Sequence, residues 1–389
     1  MSSLIVQPRS RLFHGHVWVY ASDVKATAGE PKPGDVVMLK DIRNRPIGSA
    51  IYNPQSQINA RLFSYRRQEL DLDFFQRRIQ RAVNQRIASG IDPSLCRLVW
   101  SESDGLPGLV VDRYGDHLVM QTLTLAMDQR SDLIIQALRE IVQPISIVER
   151  NEGAVRKAEG MELRKGAVFG EAPPPFQLKY GGLTFEVDVL EGQKTGLYLD
   201  QLDNYQQCAA LAKGRKVLDC FTNQGGFAQA CALGGAESVK AVDVSEHAIA
   251  QAQRNAAASG VKAEWLAANC FDFLKAGESA GDTYDMIILD PPSFTRTKQS
   301  VKDAMRGYKE IHLRALKMLN PGGLLCTFSC SHHVSTGEFH QVIVDAAVDA
   351  RKTLRQVSTF GQRADHPIIA SIGETEYLRG YAFEVQASW

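Results

Sequence analysis

Residues 216–227 read KVLDCFTNQGGF, a short, mostly apolar run that closes on an acid and then breaks at paired glycines. A run of that length entering a Gly-Gly turn and then a helical period predicts a strand that passes tightly into a helix. The pattern repeats downstream: SVKAVDVS (238–245), AEWLAAN (263–269), DMIILDPP (285–292) and GLLCTFSC (323–330) read as further strands. Between them lie amphipathic stretches such as SEHAIAQAQRNAAASG and GYKEIHLRALKMLN. Apolar strands alternating with amphipathic helices predict an α/β fold, a parallel sheet with helices on both faces. Ligands of such sheets bind outside the carboxyl ends of the strands. The residues closing each strand are therefore the site candidates: Asp219 with the turn from Thr222 to Gly226, then Asp243, Asn269 and Asp290. The turn is not G-x-G-x-x-G, which weighs against a dinucleotide fold. One acid in such a place is usually a helix cap; four polar strand ends beside a Gly-Gly turn point to a ligand.

Upstream of this repeat the chain changes character twice. The run Glu171-Ala-Pro-Pro-Pro-Phe176 stiffens the backbone and can continue neither a helix nor a central strand, so it marks a boundary. Beyond it Leu183, Phe185, Val187 and Val189 alternate as a strand ahead of GQKTGLYLDQ. At the front, residues 33–64 alternate and break like short strands around an Arg43-Asn44-Arg45-Pro46 turn. Residues 71–90 switch to a helical period with Leu72, Phe75, Ile79 and Val83 on one face. Residues 129–142 predict a second amphipathic helix, capped by Ser131 or Asp132. Three domains follow: a β-rich module over 1–70, a small mixed α/β domain over 71–175, and the large α/β domain over 176–389.

The 389 residues balance electrically, 44 Lys+Arg against 44 Asp+Glu, but the front does not. Residues 1–64 hold eight Lys or Arg and four acids, and YRRQELDLDFFQRRIQRAVNQR adds more arginine. A basic front on a neutral chain suits a polyanionic partner, or else a solvated face. No apolar stretch approaches the roughly 18 residues of a membrane span, and Pro8, Arg9 and Arg11 interrupt the start before a signal-peptide core forms. The expectation is a soluble cytoplasmic protein with no membrane partner. Seven cysteines (Cys96, Cys208, Cys220, Cys231, Cys270, Cys326, Cys330) are odd in number, and no C-x-x-C pair occurs. Neither a metal site nor a disulfide framework is supported. The default for each cysteine is a small buried apolar residue.

The segments LDCFTNQGGF, VDVS, AANCFDFL, LDPPSF and TFSCS together resemble motifs I, II, III, IV and VI of S-adenosylmethionine-dependent class I methyltransferases. They most resemble the PUA-domain family of large-subunit (23S) ribosomal RNA cytosine-C5 methyltransferases, and the likeness runs along nearly the whole chain. HVWVYASDV and the strands up to LFSY resemble the PUA domain of that family, SESDGLPGLVVDRYGD and VRKAEGMEL its central domain. GQKTGLYLDQLDN is similar to the hairpin before its cofactor fold, and RADHPIIA and EYLRGYAFEV to its terminal segments. The resemblance implies a C-terminal Rossmann-like domain, S-adenosylmethionine as cofactor and ribosomal RNA as partner. It implies that Asp219, Phe221, Thr222 and Gly225 cradle the methionine portion while Lys194, Thr195 and Gly196 close over the cofactor. Asp243 would take the ribose hydroxyls, with Val244 and Ser245 nearby. Asn269 would accept from the adenine amino group, the Cys270 backbone would face the base, and Asp290 would border the cofactor. Arg9, Arg11, Arg43, Arg45 and Lys298 would meet RNA. An exposed strand edge on the front module would suit a second copy of the chain, a homodimer that nothing in the sequence selects.

The implied chemistry asks what Cys330 does. Carbon 5 of a pyrimidine is a poor nucleophile, and a thiolate adding at carbon 6 makes it enamine-like. A free thiol, with a pKa of about 8.5, is mostly protonated at neutral pH without help. Cys330 closes the fifth strand at the functional edge, whereas Cys326 lies inside that strand, Cys231 in a helix, and Cys96 and Cys208 outside any motif. Asp290 is the natural partner: its carboxyl suits N3 or the exocyclic amine of cytosine. To donate to N3 it must hold a proton, which burial beside Pro291 and Pro292 would favour. Lys298, Arg306 and Lys309 follow in a segment expected to border the substrate; His332 and His333, near a strand end, are as often structural as catalytic, and the final base stays unassigned. The target base must be single-stranded or flipped out. Three alternatives stay open: a 5-methyluridine enzyme, which typically carries Cys-Asn-Pro where this chain has Cys330-Ser331-His332; an exocyclic-amine methyltransferase, which needs no thiol; and a non-catalytic RNA-binding assembly factor.

Overall fold

The repeat that begins at residue 216 builds one seven-stranded sheet. In the computed structural model, which describes residues 2–295 and 301–386, five strands run parallel: Lys216–Cys220, Ser238–Asp243, Glu264–Ala267, Tyr284–Leu289 and Leu319–Ser329. Their spatial order is third, second, first, fourth, fifth, followed by Arg379–Gln386 and, at the edge, Thr353–Gly361. The winding reverses between the first and fourth strands, where an open α/β sheet leaves a crevice for ligands. The five strands read from the sequence are parallel as expected, and two strands it did not name extend the sheet: Arg379–Gln386 pairs antiparallel with both neighbours. After the helix Thr336–Asp349 the chain lays down the edge strand first, then returns to insert the final strand beside the fifth, which reverses its direction.

The helices Gly226–Leu233, Glu246–Ser259, Cys270–Ala280, Val301–Met318 and Thr336–Asp349 connect these strands. Their starts follow from the sequence. Ser245 accepts from the Ala248 N–H, Asn269 from those of Phe271 and Asp272, and Ser335 forms a capping box with Glu338. Leu218, Ile287, Leu289 and Leu325 from the sheet are buried against Ile311, Leu316, Phe339 and Ile343 from the helices. Each such side chain contributes about 1.5–3 kcal/mol of transfer free energy. This sheet lies in a compact unit made of Gln177–Glu186, Asp200–Arg363 and Tyr377–Trp389.

The other unit comprises Met1–Phe176, Val187–Leu199 and Ala364–Glu376. Its front holds a six-stranded sheet of Ser3–Val6, Trp18–Val19, Val24–Ala28, Val36–Lys40, Pro46–Tyr52 and Ala60–Ser64, packed around Leu4, Val6, Val37, Leu39 and Leu62. At the predicted turn, Asn44 takes φ 64° and Asp41 accepts the N–H groups of both Arg43 and Arg45. The helix Leu72–Ala88 forms as the period predicts, but Phe74 and Ala82 join Phe75 and Ile79 as its buried apolar residues while Leu72 and Val83 sit at the margin. It packs with a five-stranded sheet, Leu95–Trp100, Leu109–Tyr114, His117–Thr122, Ser146–Asn151 and Arg164–Phe169. Ile51 and Phe63 of the front sheet share that core. The helix Ser131–Val142 is preceded directly by the short helix Leu125–Asp128, so its cap position falls on Arg130 without a side-chain cap, correcting the Ser131 or Asp132 expectation. Among the described residues no helix is long and apolar enough to cross a membrane.

Candidate active site

The end of the first parallel strand carries a buried carboxylate with one side unanswered. Asp219 is fully buried; its Oδ2 accepts from the Thr222 hydroxyl and from the Ala228 N–H at 3.0 Å, while its Oδ1 has no hydrogen-bond partner among the described residues. Burial pushes its pKa up against the Thr222 bond, the charges of Asp290 and Asp243 add to the rise, and it reaches about 7. The chain then turns through three residues of positive φ, Phe221 at 65°, Asn223 at 48° and Gly225 at 80°. Such backbone is costly for non-glycine residues and persists only where surroundings fix it. Here they do: the Phe221 N–H donates to Cys270 Sγ at 3.3 Å, Thr222 N–H to Val242 O at 3.1 Å, and Asn223 N–H to Asp243 Oδ2 at 2.9 Å. A Cβ on Gly225 would lie 2.7 Å from the Trp265 ring, so the turn requires glycine there for space as well as for φ.

The second and third strand ends complete this half of the site. Asp243 is half-buried, and its Oδ1 accepts the Ser245 N–H at 2.9 Å. Each oxygen takes a single backbone N–H, leaving a lone pair on each for ligand hydroxyls. Val244 is exposed, and Ser245 caps the next helix. Asn269 is exposed too, and its Oδ1 already accepts from Phe271 N–H at 2.9 Å and Asp272 N–H at 3.4 Å, so the oxygen expected to meet an adenine amino group is also the helix cap. The thiol of Cys270, which sequence reasoning passed over in favour of its backbone, donates to Val242 O at 3.6 Å and ties the first and second strand ends together. A cation that fills the orphan lone pairs of Asp219, joined to a diol at Asp243, is the ligand chemistry these groups fit.

The fourth and fifth strands bring Asp290 and Cys330 to neighbouring ends: Leu289 pairs with Thr327, and both side chains lie beyond that register. Cys330 is half-exposed, whereas the other six cysteines are buried. Burial pushes the thiols of Cys208 and Cys231 well up; for Cys220 the hydrogen bond with Cys270 leads and burial follows. None of those three is a ready thiolate. Asp290 is half-buried with Pro291 buried and Pro292 exposed, so only one of the two prolines covers it. Its Oδ2 accepts from Gln201 Nε2 at 3.0 Å, and Gln201 is held in turn through Asn204, whose Nδ2 donates to Gln201 Oε1 at 2.6 Å and to Gly361 O at 2.9 Å. Gln201 belongs to the GQKTGLYLDQ segment, yet its link to Asp290 was not foreseen. Nor was Tyr308, fully buried, whose hydroxyl lies 2.9 Å from Ser329 Oγ and 3.0 Å from Ser331 Oγ on either side of Cys330. His332 and His333 are exposed, with the His332 ring 5.8 Å from that of Tyr377.

Lys194, Thr195 and Gly196 belong to the first unit. There the Thr195 hydroxyl donates to Asp112 Oδ2 at 2.6 Å and lies 2.9 Å from Tyr114 Oη, and the Lys194 ammonium sits 4.2 Å over the Tyr198 ring. In the front module Arg9 and Arg43 are exposed. Arg11 and Arg45 are exposed but ion-paired, with Glu374 at 2.9 Å and Asp41 at 2.6 Å; Glu374, which lies outside residues 1–64, takes one charge from the positive excess counted there. Burial pushes the Glu374 carboxyl up, but hydrogen bonds from Arg11 and His16 outweigh it and hold it at about 2. Arg306 pairs with Asp303 and Lys309 with Asp349. Lys298 lies outside the described residues.

Known proteins share this organisation. A PUA-like domain family matches residues 8–65, and an S-adenosylmethionine-dependent methyltransferase family matches residues 167–367. A ribosomal RNA large subunit methyltransferase I from Erwinia tasmaniensis is 39% identical over 381 residues, covering 96% of either chain. Its counterpart from Cronobacter sakazakii is 38% identical over 395 residues, 99% of this chain and 100% of that protein. Among solved structures, an S-adenosylmethionine-dependent methyltransferase from Streptococcus mutans superposes with a TM-score of 0.84 at 21% identity, over 99% of this chain and 100% of that one. A methyltransferase solved with S-adenosylhomocysteine gives 0.86 at 22% identity over the same shares. At that identity the structural likeness is one of fold.

Proposed function

The chain belongs to the S-adenosylmethionine-dependent methyltransferase family that includes ribosomal RNA large subunit methyltransferase I, and from that premise we propose that it methylates carbon 5 of a cytosine in large-subunit ribosomal RNA through a covalent Cys330 adduct. The observation that carries the adduct is the placement of the one half-exposed cysteine at a strand end beside Asp290. In this reading Asp219 binds the ammonium of the cofactor's methionine end, Asp243 its ribose, and the turn 221–225 its backbone-facing side. Held there, the cofactor would supply an electrophilic methyl group, with a neutral thioether as the leaving group.

The chain's own residues do the rest. The Cys330 thiolate adds to carbon 6; the C5=C6 electrons shift to C4=C5, those of C4=N3 move to N3, and N3 takes a proton from Asp290. Gln201 donates to Asp290 Oδ2 and so fixes how the carboxyl is turned. After carbon 5 accepts the methyl group, a base removes the remaining carbon-5 proton. Its electrons restore C5=C6, sulfur leaves carbon 6 as thiolate, and N3 returns its proton to Asp290. The PUA-like module, with Arg9 and Arg43 exposed, positions RNA by its phosphates, and such binding weakens with salt. We place the reaction in the cytoplasm, where seven free thiols suit a reducing compartment.

The test is incubation of unmodified large-subunit ribosomal RNA with labelled cofactor and either wild-type protein or Cys330→Ser, with the product nucleoside identified by mass spectrometry. Wild type yields 5-methylcytosine, and the variant binds cofactor normally but yields no product. Methyl on a uracil or an exocyclic nitrogen overturns the substrate assignment; undiminished product from the variant overturns the nucleophile.

A further inference from the structure

We propose that Tyr308 is a positioning residue that holds Cys330 in register with the Asp290 loop through a one-way chain of hydroxyl hydrogen bonds. The inference rests on Cys330 as the nucleophile and adds to it the group that fixes where the sulfur stands. Its direction follows from one end. The Thr295 carbonyl can only accept, so the Ser293 hydroxyl donates its single proton there, at 2.8 Å. Ser293 Oγ must then accept from Ser331, 3.1 Å away. Ser331 has thereby used its own proton and accepts from Tyr308 at 3.0 Å, and Tyr308 accepts from Ser329 at 2.9 Å. The Ser331 N–H donates back to Ser329 Oγ at 3.3 Å, closing a ring around the backbone of Cys330.

A chain that ends on a carbonyl cannot discharge a proton, so these hydroxyls form a clamp and not a relay, and none of them is the base for the carbon-5 proton. What the clamp joins is specific. Ser329 and Ser331 flank Cys330, and Ser293 and Thr295 follow Asp290 by three and five residues. Tyr308 therefore ties the nucleophile's strand end to the loop of its partner acid. The tyrosine is itself held: its ring packs 4.8 Å from that of Phe294 and 5.3 Å from that of Phe339. One helical turn on, buried His312 faces the Tyr308 carbonyl with Nδ1 at 2.6 Å and Thr327 Oγ1 with Nε2 at 2.8 Å. The carbonyl accepts, so Nδ1 carries the proton and Nε2 takes the threonine's, a second tie from the same helix to the same strand. Burial pushes the Tyr308 phenol upward against its hydrogen bonds with Ser329 and Ser331, and the charges of Cys330 and Asp290 add to the rise, so it stays a neutral donor across the working range.

The test uses the full chain and a large-subunit ribosomal RNA transcript containing 5-fluorocytosine, which lacks the carbon-5 proton and traps the adduct. Tyr308→Phe keeps the ring and deletes the central hydroxyl. Adduct formation is expected to slow on the order of tenfold to a hundredfold, the cost of a small misplacement of a reacting atom. The KM for RNA, the affinity for S-adenosylhomocysteine and the pH profile of Cys330 alkylation by iodoacetamide are expected to match wild type. Ser331→Ala, which cuts the link to Ser293, should give the same split. Trapping at the wild-type rate in Tyr308→Phe overturns the proposal. So does a shifted alkylation profile, which would make the tyrosine an electrostatic group, or loss of cofactor affinity in both variants, which would make it a folding one. If wild-type protein itself forms no adduct, the cysteine mechanism fails in its own arm and the clamp fails with it.

Discussion

Replacing Asp219 by asparagine separates what this carboxylate does for the cofactor from what it costs the fold. Its pKa of about 7, raised chiefly by burial, means that about half the molecules hold it protonated at neutral pH. The form that binds pairs an ionised Asp219 with the cofactor's ammonium, because Oδ1 has no other partner among the described residues. As pH falls below about 7 that form disappears to protonation of the carboxyl, at about 1.4 kcal/mol or one decade of affinity per unit. It disappears again at alkaline pH as the ligand's α-amino group loses its proton, at a higher pH than the roughly 7.7–8.0 of a chain terminus because the ligand's own carboxylate holds that proton on. Titration calorimetry with S-adenosylhomocysteine between about pH 5.5 and 10.5 should therefore give a bell. Asp219→Asn should lose the acid limb, keep the alkaline one, and bind about 2–3 kcal/mol more weakly at the optimum, roughly a hundredfold. An acid limb that survives in the variant, or a flat wild-type profile, refutes the reasoning.

The same substitution should act oppositely on stability. The folded-state pKa of Asp219 is raised above the ordinary 3.8, so its contribution is fully present below about pH 4 and lost as pH rises through about 7. Beyond that the fold carries a buried, partly unpaired charge that asparagine does not impose. At pH 8 the apo variant is expected to melt above apo wild type, and saturating S-adenosylhomocysteine should reverse the order, because ligand stabilises only the form it binds well.

Two further substitutions probe other parts of the site. Gly225→Ala places a methyl group against Trp265 at a backbone φ of 80°, so it should cost about 1–2 kcal/mol from the backbone alone in urea unfolding and weaken cofactor binding with it; unchanged stability would mean the turn relaxes freely. Gln201→Ala removes the donor 3.0 Å from Asp290 Oδ2 and should lower kcat roughly tenfold with cofactor affinity intact; a loss confined to KM would place Gln201 in binding instead.

The parts of the fold legible in the sequence are those whose cause is local. Short, mostly apolar runs leading into Asp219, Asp243 and Asp290 name both a strand and its functional end, since a parallel strand is buried on both faces and takes a carboxylate only where it gives way to a turn that can answer the charge. The Gly225-Gly226 pair likewise announces a turn that only glycine fits. The antiparallel insertion of Arg379–Gln386 was not legible, because its alternation suits either direction and only its partners decide. The caps at Arg130 and Asn269 show the same limit from the other side: a serine or an amide in the right place says that a helix can start, not which residue will start it or what else its oxygen will do.

The clamp around Cys330 was illegible for a different reason. Ser329, Cys330 and Ser331 stand together in the chain, but Tyr308 is twenty-one residues before Ser329 and Ser293 thirty-eight before Ser331, and hydroxyl residues at such separations carry no periodic signal. What aligns them is the pairing of Leu289 with Thr327, which sets the two strand ends level, and the packing of the helix Val301–Met318 against both through Ile311 and Leu316. Once those apolar contacts fix the level, the direction of every hydroxyl follows from one carbonyl that can only accept. The nucleophile is thus readable from its own position, whereas the group that holds it is a property of the core. A substitution in that core which shifts the helix along its axis, with no polar atom changed, should slow the adduct for the same reason that losing the tyrosine's hydroxyl does.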